Sequence, residues 1–296
     1  MKDLYSVSSF SRQALHKYRK RCELTAKVKK QVISVCIHER EKHKQMSCRR
    51  IHAKHRDSLM IGRDIFEQVG FSNGFKIKQK RSVVKTTWSQ KMEVYSNLLE
   101  GQILTGVNQA WQSDIFYLKV EGVDYYGVTI IDVYSRFLLA VHLSKSLQAI
   151  ETSKAFKQAV GKRKGEKIKG CIFHSDRGSQ YISNELKEKI NHFGLLPSMC
   201  KLPQENAYVE RVQGTLKHEY LFHFPLTQAN LQSQIKKIIQ YYNYDRPHSE
   251  LNMCSPAAFE EKIKSLLQKE RPPLKVYQWE HPVLIKLTNS KNRSIA

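Results

Sequence analysis

The chain has 296 residues, 41% hydrophobic and 26% charged, a composition that excludes a disordered polymer and leaves room for two domains and a sizeable core. Fifty Lys and Arg against 27 Asp and Glu leave a formal net charge of +23, a self-repelling surplus that points to a polyanionic partner, nucleic acid first. No apolar run approaches the roughly 20 residues of a membrane span, the first ten residues lack a signal-peptide core, and six scattered cysteines without a C-x-x-C pair fit a reducing cytoplasm better than a disulfide framework or zinc ribbon.

The positive charge is uneven. Residues 1–85 hold 22 Lys/Arg against 7 Asp/Glu, so the N-terminal third is expected to grip the polyanion. In "ELTAKVKKQVISVCIHEREKHK", Leu24, Val28, Val32 and Val35 recur three and four apart, the stripe of an amphipathic helix with lysines around it. The earlier "SFSRQALHKYRKR" reads as one half of a further helix-turn-helix. A short helix follows in "RRIHAKH", where Cys48, His52 and His55 read as part of a basic helix rather than as metal ligands, and a third in "IGRDIFEQVGF", closed by Gly70. "GFKIKQKRSVVKTT" then alternates Phe75 and Ile77 with Lys76, Lys78 and Lys80, the period of a strand with a cationic edge. Helix, turn, helix and basic wing over 1–82 predict a DNA-binding region with Arg63, Lys76, Lys78, Lys80 and Arg81 as contacts. A solvated charged face on a helical bundle is the competing reading.

Residues 83–109 read as a linker. From Trp111 the pattern predicts an antiparallel meander near 111–121, 124–133 and 136–144, with turns at Glu121-Gly122 and Tyr134-Ser135. A helix over 146–162, a strand in "KGCIF", a helix over 183–194 and a short strand in "LPSMC" follow. Three strands, then alternating helix and strand, predict an α/β fold: a mixed sheet with flanking helices, over 110–265, with a tail at 266–296. The helix from Thr227 carries a core stripe of Leu231, Ile235, Ile238 and Tyr242.

Three acids stand out. Asp114 interrupts the first apolar strand on the face of Phe116 and Leu118, where an unpaired carboxylate costs several kcal/mol, on the order of 2–7. Asp176 follows the "CIF" strand in "IFHSDRGSQYIS", with His174 before it. In "ENAYVERVQGTLKHEY", Asn206 and Glu210 share one helix face, Lys217 lies two turns on, and Val209, Val212, Leu216 and Tyr220 form the packing stripe. Convergent carboxylates repel unless a pKa rises or a divalent ion neutralises them. Oxygen ligands alone select Mg²⁺ or Mn²⁺, and two such ions roughly 4 Å apart serve in-line phosphoryl displacement. Glu205 and Asp132 are competitors, read instead as supporting a helix N-terminus and a tight turn. His174 reads as packing at the strand end, and Lys217 as a phosphate contact.

"WQSDIFYL", "DVYSRFLLAVHLS", "HSDRGSQY", "ENAYVERVQGTLKHEY" and "YYNYDRPHSELNMCSPAAF", in that order, resemble the integrase-type catalytic core of bacterial insertion-sequence DDE transposases, specifically the group whose second reading frame encodes the catalytic part. "IGRDIFEQVGFSNGFKIKQKRSVVKTT" is similar to that group's helix-turn-helix segment, so the resemblance spans roughly 30–260. It implies a ribonuclease-H-like fold, two-metal catalysis, cleavage of DNA at element ends and strand transfer into target DNA. Residue by residue it makes Asp114, Asp176 and Glu210 the catalytic, metal-holding acids, with His174 and Asn206 in support. It also implies a homo-oligomer on DNA, a possible partner from an upstream reading frame, no membrane, and a cytoplasmic, nucleoid-associated setting. A non-catalytic DNA-binding derivative and a metal-dependent nuclease without joining activity are the alternatives.

Overall fold

A computed structural model describes residues 11–77 and 95–277. The chain divides into two compact units, Met1–Val83 with Pro247–Met253, and Val84–Arg246 with Cys254–Ala296.

In the first unit, helix α1 runs unbroken over Arg12–Lys42, capped by Ser11, whose Oγ accepts the Ala14 amide at 3.1 Å. The early helix expected within 9–21 is, from Arg12 on, part of α1, because no Gly or Pro interrupts the run. Its buried face also begins later than the sequence stripe suggests: Leu24 is 64% exposed, while Val32, Cys36 and Glu39 are buried. Helices α2 (Cys48–Lys54) and α3 (Arg63–Ser72) close over that face around Met46, Ile51, Leu59, Ile61 and Phe66. Gly70 does not end α3, which is capped at Asn73. It is a contact residue: a Cβ there would lie 2.7 Å from Cys48 Sγ, so the α2–α3 approach needs glycine. Residues 75–77 carry no strand; the expected wing beyond them, with Lys78, Lys80 and Arg81, lies outside the described residues.

The second unit is built on a five-stranded sheet of β2 (Ala110–Val120), β3 (Val123–Asp132), β4 (Leu138–Ser144), β5 (Ile172–Ser175) and β6 (Leu196–Met199), after a two-residue β1 (Ile103–Leu104). The order is β4-β3-β2-β5-β6; β3 is antiparallel to both neighbours, while β2, β5 and β6 are parallel. This is the ribonuclease-H-like arrangement. Glu121 (φ 49°) and Gly122 (φ 80°) join β2 to β3 in two residues, both left-handed as the twist of a tight hairpin requires.

Alternation along β2 assigns its faces. Trp111 and Ile115 pack with α4 (Ala149–Lys162) and α5 (Asn184–His192), through Phe156, Phe173, Leu186 and Ile190. Phe116, Leu118 and Val120 face α6 (Ala207–Thr215) and its wider continuation Leu216–Leu221, and α7 (Leu231–Gln240). All four residues of each expected stripe, Val209, Val212, Leu216, Tyr220 and Leu231, Ile235, Ile238, Tyr242, are buried there. The α7 start differs from expectation: Asn230 is the N-cap, with Thr227 and Asn230 exchanging side-chain-to-amide bonds of 2.9 and 3.2 Å. Residues 95–109 pack onto this unit, burying Leu99 and Leu104. Near the other end, α8 (Pro256–Lys264) precedes β7 (Leu274–Lys275), which pairs with β1, and Val276 donates to Gln102 O at 2.8 Å.

Candidate active site

The sheet brings two acids to neighbouring strands. Asp114 lies on β2 one residue past Ser113, which is in register with Ser175 at the end of β5; Asp176 is the next residue in the chain. The strand runs through His174 and Ser175, so Asp176 stands just beyond its last paired residue. Asp176 Oδ1 accepts the Gly178 amide at 3.0 Å, fixing the carboxylate in the turn. Arg177 turns away, its Nε donating to Cys200 O at 2.9 Å.

Glu210 arrives on α6, whose apolar side is held by Val209 and Val212 while Glu210 itself stays exposed. Two of the three carboxylates, Asp114 and Glu210, are shifted by the charge of a neighbouring acid. Burial first, then the charges of Asp176 and Glu210, push Asp114 up to about 7, against the downward pull of its backbone amide environment and of Lys217. Burial raises Asp176, and burial followed by Asp176 raises Glu210.

Lys217 extends from the same helical segment over the Phe116 ring, 5.4 Å from its centroid. Its pKa is lowered by burial and held up by Asp114, which makes it the cation facing the first acid. Asn206 donates from Nδ2 to Ser113 O at 3.1 Å, one residue from Asp114, and its buried Oδ1 has no partner. An oxygen-only donor set in which Asp176 and Glu210 raise Asp114, with the orphaned Asn206 amide oxygen on a side chain held at Ser113, fits a hard divalent cation.

The competitors are used structurally. Asp132 takes the Ser135 amide and hydroxyl on Oδ1 and the Asn108 amide on Oδ2, closing the β3–β4 turn. Glu205 Oε2 accepts the Lys201 and Leu202 amides before α6. His174 is buried, bonded through Nδ1 to Ser198 Oγ at 2.9 Å, and burial pushes its pKa down to about 4, so the ring is neutral near pH 7. In the first unit, Arg63 is paired with Asp64 at 2.7 Å, Lys76 Nζ lies 6.0 Å from the Phe71 ring centroid, and His55 bonds Glu39 at 2.8 Å.

Sequence reading passed over Gln112, Ser113 and Tyr181. Ser113 Oγ and Tyr181 OH share a buried 2.9 Å bond beneath the acids, and Gln112 is wholly buried beside α6. Their only signal was a polar pair inside an apolar strand. Among the described residues, no helix is long and apolar enough to cross a membrane.

Two models of the integrase core domain match residues 105–202 and 198–256. A 31 kDa protein of insertion element IS600 from Shigella sonnei is 33% identical over 220 residues, covering 71% of this chain and 79% of that protein. The transposase for insertion sequence IS904 of Lactococcus lactis is 35% identical over 161 residues, 53% of this chain and 62% of its own length. Transposase InsF for insertion sequence IS3A of Escherichia coli K12 is 30% identical over 196 residues, covering 64% and 67%. Among solved structures, the HTLV-2 integrase catalytic core aligns with 52% of this chain and 97% of its own at 22% identity and a TM-score of 0.43. By its integrase core domain and its insertion-sequence relatives, this chain belongs to the DDE transposases of insertion sequences.

Proposed function

We propose that this chain cuts DNA at the ends of its own element and joins them to target DNA, with Asp114, Asp176 and Glu210 as the catalytic acids. The observation that carries the proposal is the convergence of three acids from β2, the end of β5 and α6, where burial and the charges of Asp176 and Glu210 push Asp114 up to about 7 and Asp176 also raises Glu210. Carboxylates so arranged serve to hold cations, and the same residues, with Asn206 Oδ1 in support, would hold Mg²⁺ or Mn²⁺, two ions in our reading. Bound there, the ions would lower the pKa of an attacking oxygen and offset charge on the leaving one.

The chain's own residues orient this chemistry. Asp176 is fixed by the Gly178 amide, and Lys217, whose charge is felt by Asp114, would meet a phosphate oxygen. Water attacks the phosphodiester at the element's end, releasing a 3′-hydroxyl; that hydroxyl attacks a target phosphodiester and displaces a second 3′-oxygen. Bond for bond the exchange is balanced, and no protein nucleophile is required. His174, neutral and bonded to Ser198, supports the β5 end rather than donating charge.

The basic first unit, with Arg63, Lys76, Lys78, Lys80 and Arg81, would hold duplex DNA through its phosphates. In this reading residues 1–82 bind DNA and the core over 110–265 carries the chemistry, with 95–109 packed onto it. Acting on two element ends calls for at least a dimer, in the cytoplasm at the nucleoid, with an upstream-frame product as a further partner. Labelled duplexes from both element borders, supercoiled target and Mg²⁺, Mn²⁺ or chelator test the reading. Metal-dependent joined product that disappears in Asp176→Asn is expected; nicks without joining would replace transposition with simple nuclease activity, and binding alone in both proteins would leave a DNA-binding derivative.

A further inference from the structure

We infer that Gln112 is a positioning residue for the third acid: its side-chain amide clamps the first turn of α6 to β2 and thereby sets Glu210 opposite Asp114. The inference rests on the proposed roles of those acids. Gln112 is fully buried, and it shares its face of β2 with Asp114 and Phe116, being two and four residues before them. Its Nε2 donates to Glu205 O at 3.0 Å, and its Oε1 accepts the Val209 amide at 3.1 Å.

These two partners are four residues apart. In a continuing helix the Val209 amide would donate to the Glu205 carbonyl itself; here the Gln112 amide is interposed between them and completes both. The first amides of a helix ordinarily take a side chain from the N-cap residue, yet the α6 N-cap, Asn206, makes no such bond. Its Nδ2 is instead spent on Ser113 O, the residue after Gln112. Thus the helix is capped from the sheet. Three hydrogen bonds tie residues 205, 206 and 209 to 112 and 113, and the next residue on either side of the clamp is an acid, Asp114 on the strand and Glu210 on the helix.

A side chain that merely filled the core would not need both a donor and an acceptor here. Gln112→Met keeps the length and apolar packing but removes both bonds; Gln112→Glu keeps the acceptor for Val209 and loses the donor to Glu205. Mn²⁺ binding by the full chain, measured by titration calorimetry at fixed pH, reads the position of Glu210 without requiring turnover. Groups that orient metal-holding side chains are worth on the order of 10- to 100-fold in affinity, so Gln112→Met should weaken Mn²⁺ at least about tenfold, with Gln112→Glu weakened less.

The double variant Gln112→Met, Glu210→Gln should bind Mn²⁺ no worse than Glu210→Gln alone, since the clamp acts through that acid. Unchanged Mn²⁺ affinity in Gln112→Met, with only a lowered Tm, would reduce Gln112 to core packing, and additive losses in the double variant would equally overturn the inference. A Glu210→Gln protein that binds Mn²⁺ as wild type does would instead remove Glu210 from the site, a failure of the active-site reading visible in that single variant.

Discussion

Asp114→Asn should stabilise the metal-free protein while abolishing its activity. Burial and the neighbouring acids lift the Asp114 carboxyl from 3.8 to about 7, so the folded state holds its proton more tightly than the unfolded chain does. The stability that this contributes is full below about pH 4 and is lost as the pH climbs to about 7. At 1.36 kcal/mol per pH unit the loss has an upper bound of about 4 kcal/mol, and relaxation and water entry bring the expected value to about 1–2 kcal/mol. Asparagine keeps the shape and carries no charge. In chelator at pH 8, denaturant unfolding should therefore give a higher midpoint for Asp114→Asn than for wild type, and at pH 4 the two should coincide. Excess Mg²⁺ should raise the wild-type midpoint and leave the variant unmoved, because binding to the folded state alone stabilises it. A variant less stable than wild type at pH 8 in chelator would refute the reasoning, since Asp114 would then be a satisfied structural carboxylate.

Removing the facing cation should have the opposite sign on the same group: Lys217→Gln is expected to raise the Asp114 pKa further, followed by carboxyl NMR titration of the metal-free protein, because Lys217 holds it down. Gly127→Ala should be costly, by about 2 kcal/mol or more in urea unfolding, since a Cβ there would sit 2.4 Å from the buried Phe116 ring directly across the β2–β3 pair. The bidentate pair of Arg246 with Glu219, both bonds 2.7 Å, should make Glu219→Gln lose roughly 3 kcal/mol, as breaking a buried pair strands a charge; a loss below about 1 kcal/mol would show that other contacts carry Arg246.

The periodic parts of this fold were legible along the chain. The strands at 110–120, 123–132 and 138–144 and the stripes of α6 and α7 follow from alternation and from three-and-four spacing, because one face of each element is buried against the sheet. The start of α1 was not, since a helix end set by Ser11 and by the mere absence of breakers leaves no contrast within residues 9–21. Gly70 was misread for a related reason: nothing local distinguishes a glycine that ends a helix from one that admits the Cys48 sulfur against it.

By itself the sequence determined which residues carry charge into apolar surroundings: Asp114 in a strand, Asp176 after one, Glu210 on a packed helix, and a basic first third. That information is local, resting on residue type against its neighbours. Only the tertiary structure decided which acids meet, because Asp114 and Asp176 become neighbours through the parallel pairing of β2 with β5, and Glu210 joins them through the packing of α6 on the same face. It also decided the fate of the remaining acids, Asp132 to a turn and Glu205 to two amides. Gln112 shows the limit most clearly. Its two partners, Glu205 and Val209, are 93 and 97 residues away, and a hydrogen bond of that separation leaves no periodicity to read.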